Sequence, residues 1–310
     1  MIEKVMFCGE EAYRLENEML SCICIPQRGG KIASIKYRET GFELLYQNRT
    51  SFYSDADVNS KFADFEACGF DDAFPSIDPE MITIDGELIP YPDHGEIWRA
   101  AFESEIWADR LLLTYNSELF NYSYIKTFEL SGNRLNCTYS IKNNGKKSFP
   151  CFFAMHCLVN VEKGMRLIFP NKTDGVINVM DSPKLGKAGT AYRFPKDMIC
   201  GTEYDFTSLP ENESPMMDKY YVNEAVKEGK CGYDYLRSGI RALIEYDCNK
   251  LPFLGFWVTQ GGFRGEYNCA LEPTNGYYDS ISCAQKNSKC PVLEPDEAME
   301  FDLSILLEEI

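Results

Sequence analysis

Residues 122–130, YSYIKTFEL, and residues 134–143, RLNCTYSIKN, are two runs of strand character separated only by Ser131, Gly132 and Asn133. Both are rich in aromatic and β-branched side chains, which suit a pleated, half-buried surface, and both are bounded by residues that favour turns. The pattern recurs along the chain in SCICIP (21–26), KIASIKY (31–37), FELLYQ (42–47), LLLTYN (111–116), FPCFFAMHCLVNV (149–161), RALIEYD (241–247), FLGFWVTQ (253–260), YNCALEP (267–273) and MEFDLSILL (299–307). Helical periodicity is scarce. DVNSKFADFEA (57–67) and NEAVKEG (223–229) are the only short candidates, and no helix alternates with the strands as a parallel α/β sheet requires. The expected fold is all-β, a large antiparallel β-sandwich in which sheets pack face to face.

No low-complexity tract, Pro- or Ser-rich linker or fixed-period repeat interrupts these runs, and strand signals continue to the last residues, so residues 1–310 are expected to form a single domain. The least regular stretch, 171–232, reads as long loops, and loops of that length on a β scaffold often line a site.

The 310 residues, 45% of them hydrophobic, are enough to bury a large core without a metal or disulfide. The formal charge of -17 repels a phosphate backbone, so nucleic acid is not an expected partner. No apolar run approaches the length of a membrane span and the first residues lack a signal-peptide core, so a cytoplasmic protein that does not partner a membrane is expected. The thirteen cysteines are scattered without a C-x-x-C pair and are expected to be reduced thiols packed as small hydrophobes.

Motifs for nucleotides, zinc proteolysis and serine hydrolysis are all missing. The residues left to carry chemistry are the only two histidines and one glutamate at a strand end. His156, in CFFAMHCLVN (151–160), shares its strand face with Phe152, Ala154 and Leu158. It is either a hydrogen-bonded core histidine or an imidazole at a pocket floor that exchanges a proton near neutral pH. His94, in PDHGEIW (92–98), sits in a loop stiffened by Pro92, bent at Gly95 and closed by Trp98, so the loop looks shaped rather than slack. An exposed turn histidine is the alternative.

Glu272 stands where a strand leaves its sheet, because Pro273 cannot donate to a ladder. The apolar YNCAL before it argues for partial desolvation over an ordinary solvated carboxylate. Asp71 and Asp72, in CGFDDAFPSID (68–78), are placed either to cap a turn or to bind vicinal hydroxyls. Trp98 and Trp257 are either core residues or platforms whose ring stacks on a sugar while the indole N–H bonds a hydroxyl.

Taken in order, RGGKIASIKY (28–37), FELLYQ (42–47), DHGEIW (93–98), FFAMHCLVNV (152–161), ALEPTNGYYDS (270–280) and MEFDLSILL (299–307) resemble the aldose 1-epimerase, or galactose mutarotase-like, family over nearly the whole chain. The resemblance implies a single-domain β-sandwich of the supersandwich type and an isomerase of carbohydrate metabolism that needs no cofactor and no metal. It implies a monosaccharide as substrate and a monomer or homodimer. It maps the catalytic roles onto His94, His156 and Glu272: Glu272 as the base at the C1 hydroxyl, His156 as the acid at the ring oxygen, His94 as a sugar and charge-stabilising contact. A further sugar-binding aspartate is implied between His156 and Glu272, where no motif marks its position.

Two departures bear on sugar contacts. Where well-studied members carry an arginine upstream of the first histidine, this chain has ACGFDDAFPSID (67–78); where many read G-F-A-R after it, this chain has GEIW and then Arg99. Two other classes compete with an epimerase. A carbohydrate-binding protein of the same fold would dock a sugar without turnover, and a glycoside-processing enzyme would use paired carboxylates drawn from Asp71, Asp72 and Glu272. Convergence of the two histidines and Glu272 on one pocket is the feature that separates them.

Overall fold

Burial alternates residue by residue along the longest strands, and that alternation decides how the sheets face each other. Along Tyr122–Ser131 the buried positions are Tyr122, Tyr124, Lys126 and Phe128; along Arg134–Asn143 they include Leu135, Cys137, Tyr139 and Ile141. Side chains of a strand point to opposite faces in turn, so one face of this sheet is driven inward and the other stays wet. The computed structural model describes residues 1–209 and 215–310.

The strands form two large antiparallel sheets. One follows the order Ile2–Phe7, Glu10–Glu16, Leu20–Ile25, Lys31–Tyr37, Phe70–Ala73, Ala154–Cys157, Tyr267–Thr274, Phe253–Gln260, Met216–Val222, Gly175–Asn178 and Ala191–Arg193. The other runs Arg166–Ile168, Lys230–Tyr235, Ile240–Tyr246, Ala298–Glu309, Arg134–Asn143, Tyr122–Ser131, Arg110–Asn116 and Glu103–Trp107. A single apolar cluster joins them, with Leu15, Ile35 and Leu271 from the first sheet against Leu111, Leu303 and Ile305 from the second. Cys22, Cys24, Cys137, Cys157, Cys231 and Cys269 are unpaired thiols inside this cluster.

Sequence expectation and structure part at three places. Neither proposed helix forms: 57–67 contains only the 3-10 turn Phe62–Asp64, and 223–229 is a chain of bends. The α-helix among the described residues is Ile281–Lys286, whose first turn is capped by the Ser280 side chain accepting from the Cys283 N–H. The stretch 171–232 is not simply loop, since Gly175–Asn178, Met216–Val222 and Lys230–Tyr235 are ladder strands of the two sheets. No described helix is long and apolar enough to cross a membrane.

Charge is also buried between the sheets. Lys126 Nζ, 1% exposed, lies 2.7 Å from Asp72 Oδ2, and the same ammonium donates to the Gly29 carbonyl at 2.8 Å. Tyr139, from the same sheet as Lys126, donates its hydroxyl to Asp72 Oδ1 at 3.1 Å. Asp72 belongs to Phe70–Ala73, so this network ties one sheet to the other underneath the strand that neighbours His156. Lys126→Met leaves the Asp72 charge desolvated and uncompensated, and the expected loss is about 3 kcal/mol of unfolding free energy in a urea titration. Lys126→Met combined with Asp72→Asn should lose less than Lys126→Met alone, because no bare charge is then left in the core.

Candidate active site

The site begins with a register. Ala154 pairs with Thr274 and Val159 with Cys269, which puts His156 level with Glu272 on the neighbouring strand. His156 pairs with Asp71 on its other side, Glu272 pairs with Gly255, and Gly255 with Tyr221. Residues level with each other on adjacent strands project to the same face. Asp71, His156, Glu272, Gly255 and Tyr221 therefore form one row across the outer face of the larger sheet. Gly255 matters by lacking a side chain: a Cβ there would stand 3.2 Å from Glu272 Oε2 and 3.0 Å from Tyr221 Cζ, in the space both occupy.

The loop carrying His94 closes over this row. His94 (φ +55°) and Gly95 (φ +72°) both adopt left-handed backbone. A Cβ on Gly95 would meet the Phe74 carbonyl oxygen at 2.0 Å, so only glycine lets the loop lie flat against that segment. The His94 N–H donates to the Ile77 carbonyl and the Glu96 N–H to that of Phe74, fastening the loop on both sides of the turn. His94 Nδ1 is 2.6 Å from Asp93 Oδ1. A carboxylate only accepts, so Nδ1 carries the proton and Nε2 is the ring nitrogen free for a ligand. The imidazole stacks on Phe62 at 4.1 Å between centroids and stands edge-on to His156 at 5.2 Å.

These elements enclose a cavity of about 310 Å³, lined by His94, His156 and Glu272, with Asp78, Asp93, Lys219, Trp257, Asn268 and Asp279 around them. A volume near the lower end of the small-ligand range suits a compact molecule. A wider concavity of about 930 Å³ lies on the wet face of the other sheet, where Thr127, Thr138, Asp302 and Ser304 line it; it holds neither histidine nor Glu272. Among the described residues no group of His, Cys, Asp and Glu is arranged to hold a metal ion.

Of the sequence candidates, then, His94, His156, Glu272 and Trp257 meet at one cavity. Asp71 and Asp72 do not. Asp71 shares the face of His156 but is sealed by an ion pair with Lys31, and Asp72 points the other way, to Lys126; both are 1% exposed and neither touches the cavity. Trp98 is a fastener: its indole N–H donates to the Asp93 carbonyl at 2.9 Å, and its ring packs on Phe62 and Phe65 behind the loop. Arg99 lies with it at a separate small pocket. Trp257 offers its ring but not its donor, because its N–H is engaged by Asn268 Oδ1 at 3.1 Å.

Sequence reasoning missed Lys219, Asp279 and Asp78. Lys219 was hidden in a stretch read as loop, although the alternation of Lys219 and Tyr221 in MMDKYYV (216–222) is a strand signal. Asp279 sits inside the ALEPTNGYYDS segment, seven residues beyond Glu272, and is brought back by the turn. Lys219 Nζ lies 3.1 Å from Glu272 Oε2 and 3.1 Å from Asp279 Oδ1. The contact to Glu272 is an ion pair by distance without the alignment of a hydrogen bond, which leaves Oε2 buried and otherwise unpartnered.

Electrostatics follow from desolvation. Burial pushes the Glu272 carboxyl above its ordinary range; the Lys219 ammonium works against that rise and Asp279 adds to it. Burial, then the neighbouring His94 and Lys219 charges, hold the His156 imidazole well below its usual value, and its Nδ1 is buried without a hydrogen-bond partner. Near neutral pH His156 is therefore a neutral imidazole, beside a carboxyl whose proton affinity burial raises.

An NMR titration checks this: the His156 ring signals should stay those of neutral imidazole as the pH falls through 6.5, the ordinary value. Because the unfolded chain takes up that proton first, the stability contribution of neutral His156 is complete above the ordinary imidazole range. It should decline as the pH drops through that range towards the folded-state value. His156→Asn should flatten that part of the stability profile.

No family model and no curated protein sequence matches the chain. Solved structures do. A galactose mutarotase-like protein from Lactobacillus casei superposes with a TM-score of 0.70 at 14% identity, covering 96% of this chain and 100% of that one. One from Clostridium acetobutylicum gives 0.67 at 16% identity over 100% and 99% of the two chains, and an aldose epimerase homologue from C. elegans gives 0.68 at 11% identity over the whole of both. At such identities the likeness lies in the path of the backbone, and it extends from end to end: this chain has the galactose mutarotase-like β-sandwich fold.

Proposed function

We propose that the protein is a cofactor-independent aldose 1-epimerase that interconverts the α and β anomers of a free, unphosphorylated monosaccharide, with residues 1–310 acting as one unit. The observation that carries this reading is the placement of His156 and Glu272 level with each other in one desolvated row, at the floor of a cavity closed by the His94 loop. Ring opening removes a proton from the C1 hydroxyl and delivers one to the ring oxygen while the C1–O bond breaks. One acid and one base within reach of a single pyranose are sufficient.

The proton bookkeeping balances on this pair. With one proton held between them, Glu272 as carboxylate accepts from the C1 hydroxyl while His156 as imidazolium donates to the ring oxygen. The open-chain aldehyde then faces a neutral carboxyl and a neutral imidazole. Burial favours those uncharged forms in the resting site as well, so forming the carboxylate–imidazolium pair carries a cost that contacts with the bound sugar must offset. Rotation about C1–C2 and the reverse transfers close the other anomer. His94 Nε2 is available to a sugar hydroxyl, and the Trp257 ring supplies an apolar wall.

Lys219 is the only Lys or Arg among the described lining residues, and it is occupied by two carboxylates, which favours a neutral sugar over a phosphorylated one. The paired-carboxylate reading is weakened, because two of its three candidates, Asp71 and Asp72, are sealed against lysines away from the cavity.

The test is the optical rotation of freshly dissolved single anomers. Wild type should accelerate the approach to equilibrium for at least one unphosphorylated aldose. Glu272→Gln and His156→Ala should each lose on the order of 10²- to 10⁴-fold. The double variant should lose little more than either single one, since the two residues act as a unit. Saturable sugar binding without acceleration would instead establish a binding protein.

A further inference from the structure

Lys219 pairs with Trp257 across its strand, so it belongs to the row of residues next to the one that holds His156 and Glu272. Its side chain reaches sideways into that row and ends between two carboxylates, 3.1 Å from each. The three groups are desolvated to different degrees, with side-chain exposures of 11% for Lys219, 1% for Glu272 and 15% for Asp279. Asp279 is the fixed member. Its Oδ1 accepts from the Tyr221 hydroxyl at 2.7 Å, and its backbone carbonyl accepts from the N–H groups of Ile77 and Asp78.

We propose that Lys219, anchored on Asp279, is a positioning residue that orients Glu272 at the cavity floor and sustains it as a carboxylate there, so that this lysine sets the strength of the base. The inference rests on the reading of Glu272 as a proton-transfer group. Burying an ionised carboxylate beside a second one is unfavourable, and one ammonium in contact with both is what offsets that cost. Orientation follows from the same contact. The missing side chain at Gly255 leaves room for the Glu272 carboxyl, and Lys219 meets its Oε2 at 3.1 Å.

The charged and titratable groups facing Glu272 from each surrounding element are Lys219 and Tyr221 on the strand Met216–Val222, His156 on Ala154–Cys157, Asp93 and His94 on the loop, and Asp78 and Asp279 on the two segments that meet beside it. Lys219 is the one permanent cation of the set. Burial alone would depress its own proton affinity, but Asp279 and Glu272 together hold it above the ordinary lysine value, so it stays charged across the working range.

The discriminating experiment is the pH dependence of kcat/KM for anomer interconversion. Lys219→Met should move the acid limb to higher pH by about one pH unit or more. Asp279→Asn, which removes the competing anion and leaves the ammonium to Glu272, should move the limb to lower pH. Lys219→Arg should restore most of the wild-type position. A merely structural lysine predicts slower catalysis at every pH with the limb in place, and that result overturns the proposal, as does a limb that moves the same way in Lys219→Met and Asp279→Asn.

Carboxyl ¹³C titration of Glu272, assigned by its absence in Glu272→Gln, reads the same displacement without turnover. If wild type accelerates no aldose, the epimerase reading fails while this titration still decides the role of Lys219. If Lys219→Met does not fold, the downward displacement in Asp279→Asn remains the test.

Discussion

The pairing register between Ala154–Cys157 and Tyr267–Thr274 is the constraint on which the rest depends. With Ala154 opposite Thr274, His156 stands beside Glu272 on the outer face, while Met155 and Leu271 point into the core. A slip of one residue would turn one member of that pair inward and expose an apolar side chain in its place, so the apolar core protects the register from error. The geometry of the candidate site is a by-product of hydrophobic patterning. The same alternation that buries Met155 and Cys157 aims His156 outward.

The register is held from beneath by charge. Asp71 and Asp72 occupy consecutive positions on the strand next to that of His156 and therefore face opposite ways, one to Lys31 on the outer side and one to Lys126 between the sheets. Buried pairs of this kind are weak sources of net stability, because desolvation consumes most of their Coulomb attraction, but breaking one is costly. Their effect is to make wrong arrangements expensive. A strand bearing two adjacent carboxylates tolerates only the placement in which each meets its own ammonium, and that placement leaves His156 where it is found.

Above the row the requirement is reversed: groups are kept under-satisfied. His156 Nδ1 and Glu272 Oε2 are both buried without hydrogen bonds. Unmet polar capacity in a desolvated cavity costs stability and remains available to a ligand that brings its own hydroxyls. The loop bearing His94 shows the same economy. Two successive left-handed residues, tolerated because Gly95 presses on the Phe74 carbonyl, place an imidazole whose tautomer is already chosen by Asp93.

Sequence alone determined the all-β class, most strands and the shaped loop at 92–98, because each has a local cause: period-two alternation, or Pro and Gly at a bend. The sequence marked His94, His156 and Glu272 as candidates, but Pro273 does not end the ladder as its chemistry suggested: it pairs with Leu254, and the strand runs on to Thr274. It also marked Asp71, Asp72 and Trp98, whose local settings look the same whether they face a ligand or a lysine. Tertiary structure alone decided between those outcomes. Which ammonium a buried carboxylate meets, and whether Lys219 and Asp279 reach Glu272, depends on strands far apart in the chain. Pairing register and the return of a turn set those distances, and neither leaves a period or a motif in the residues themselves.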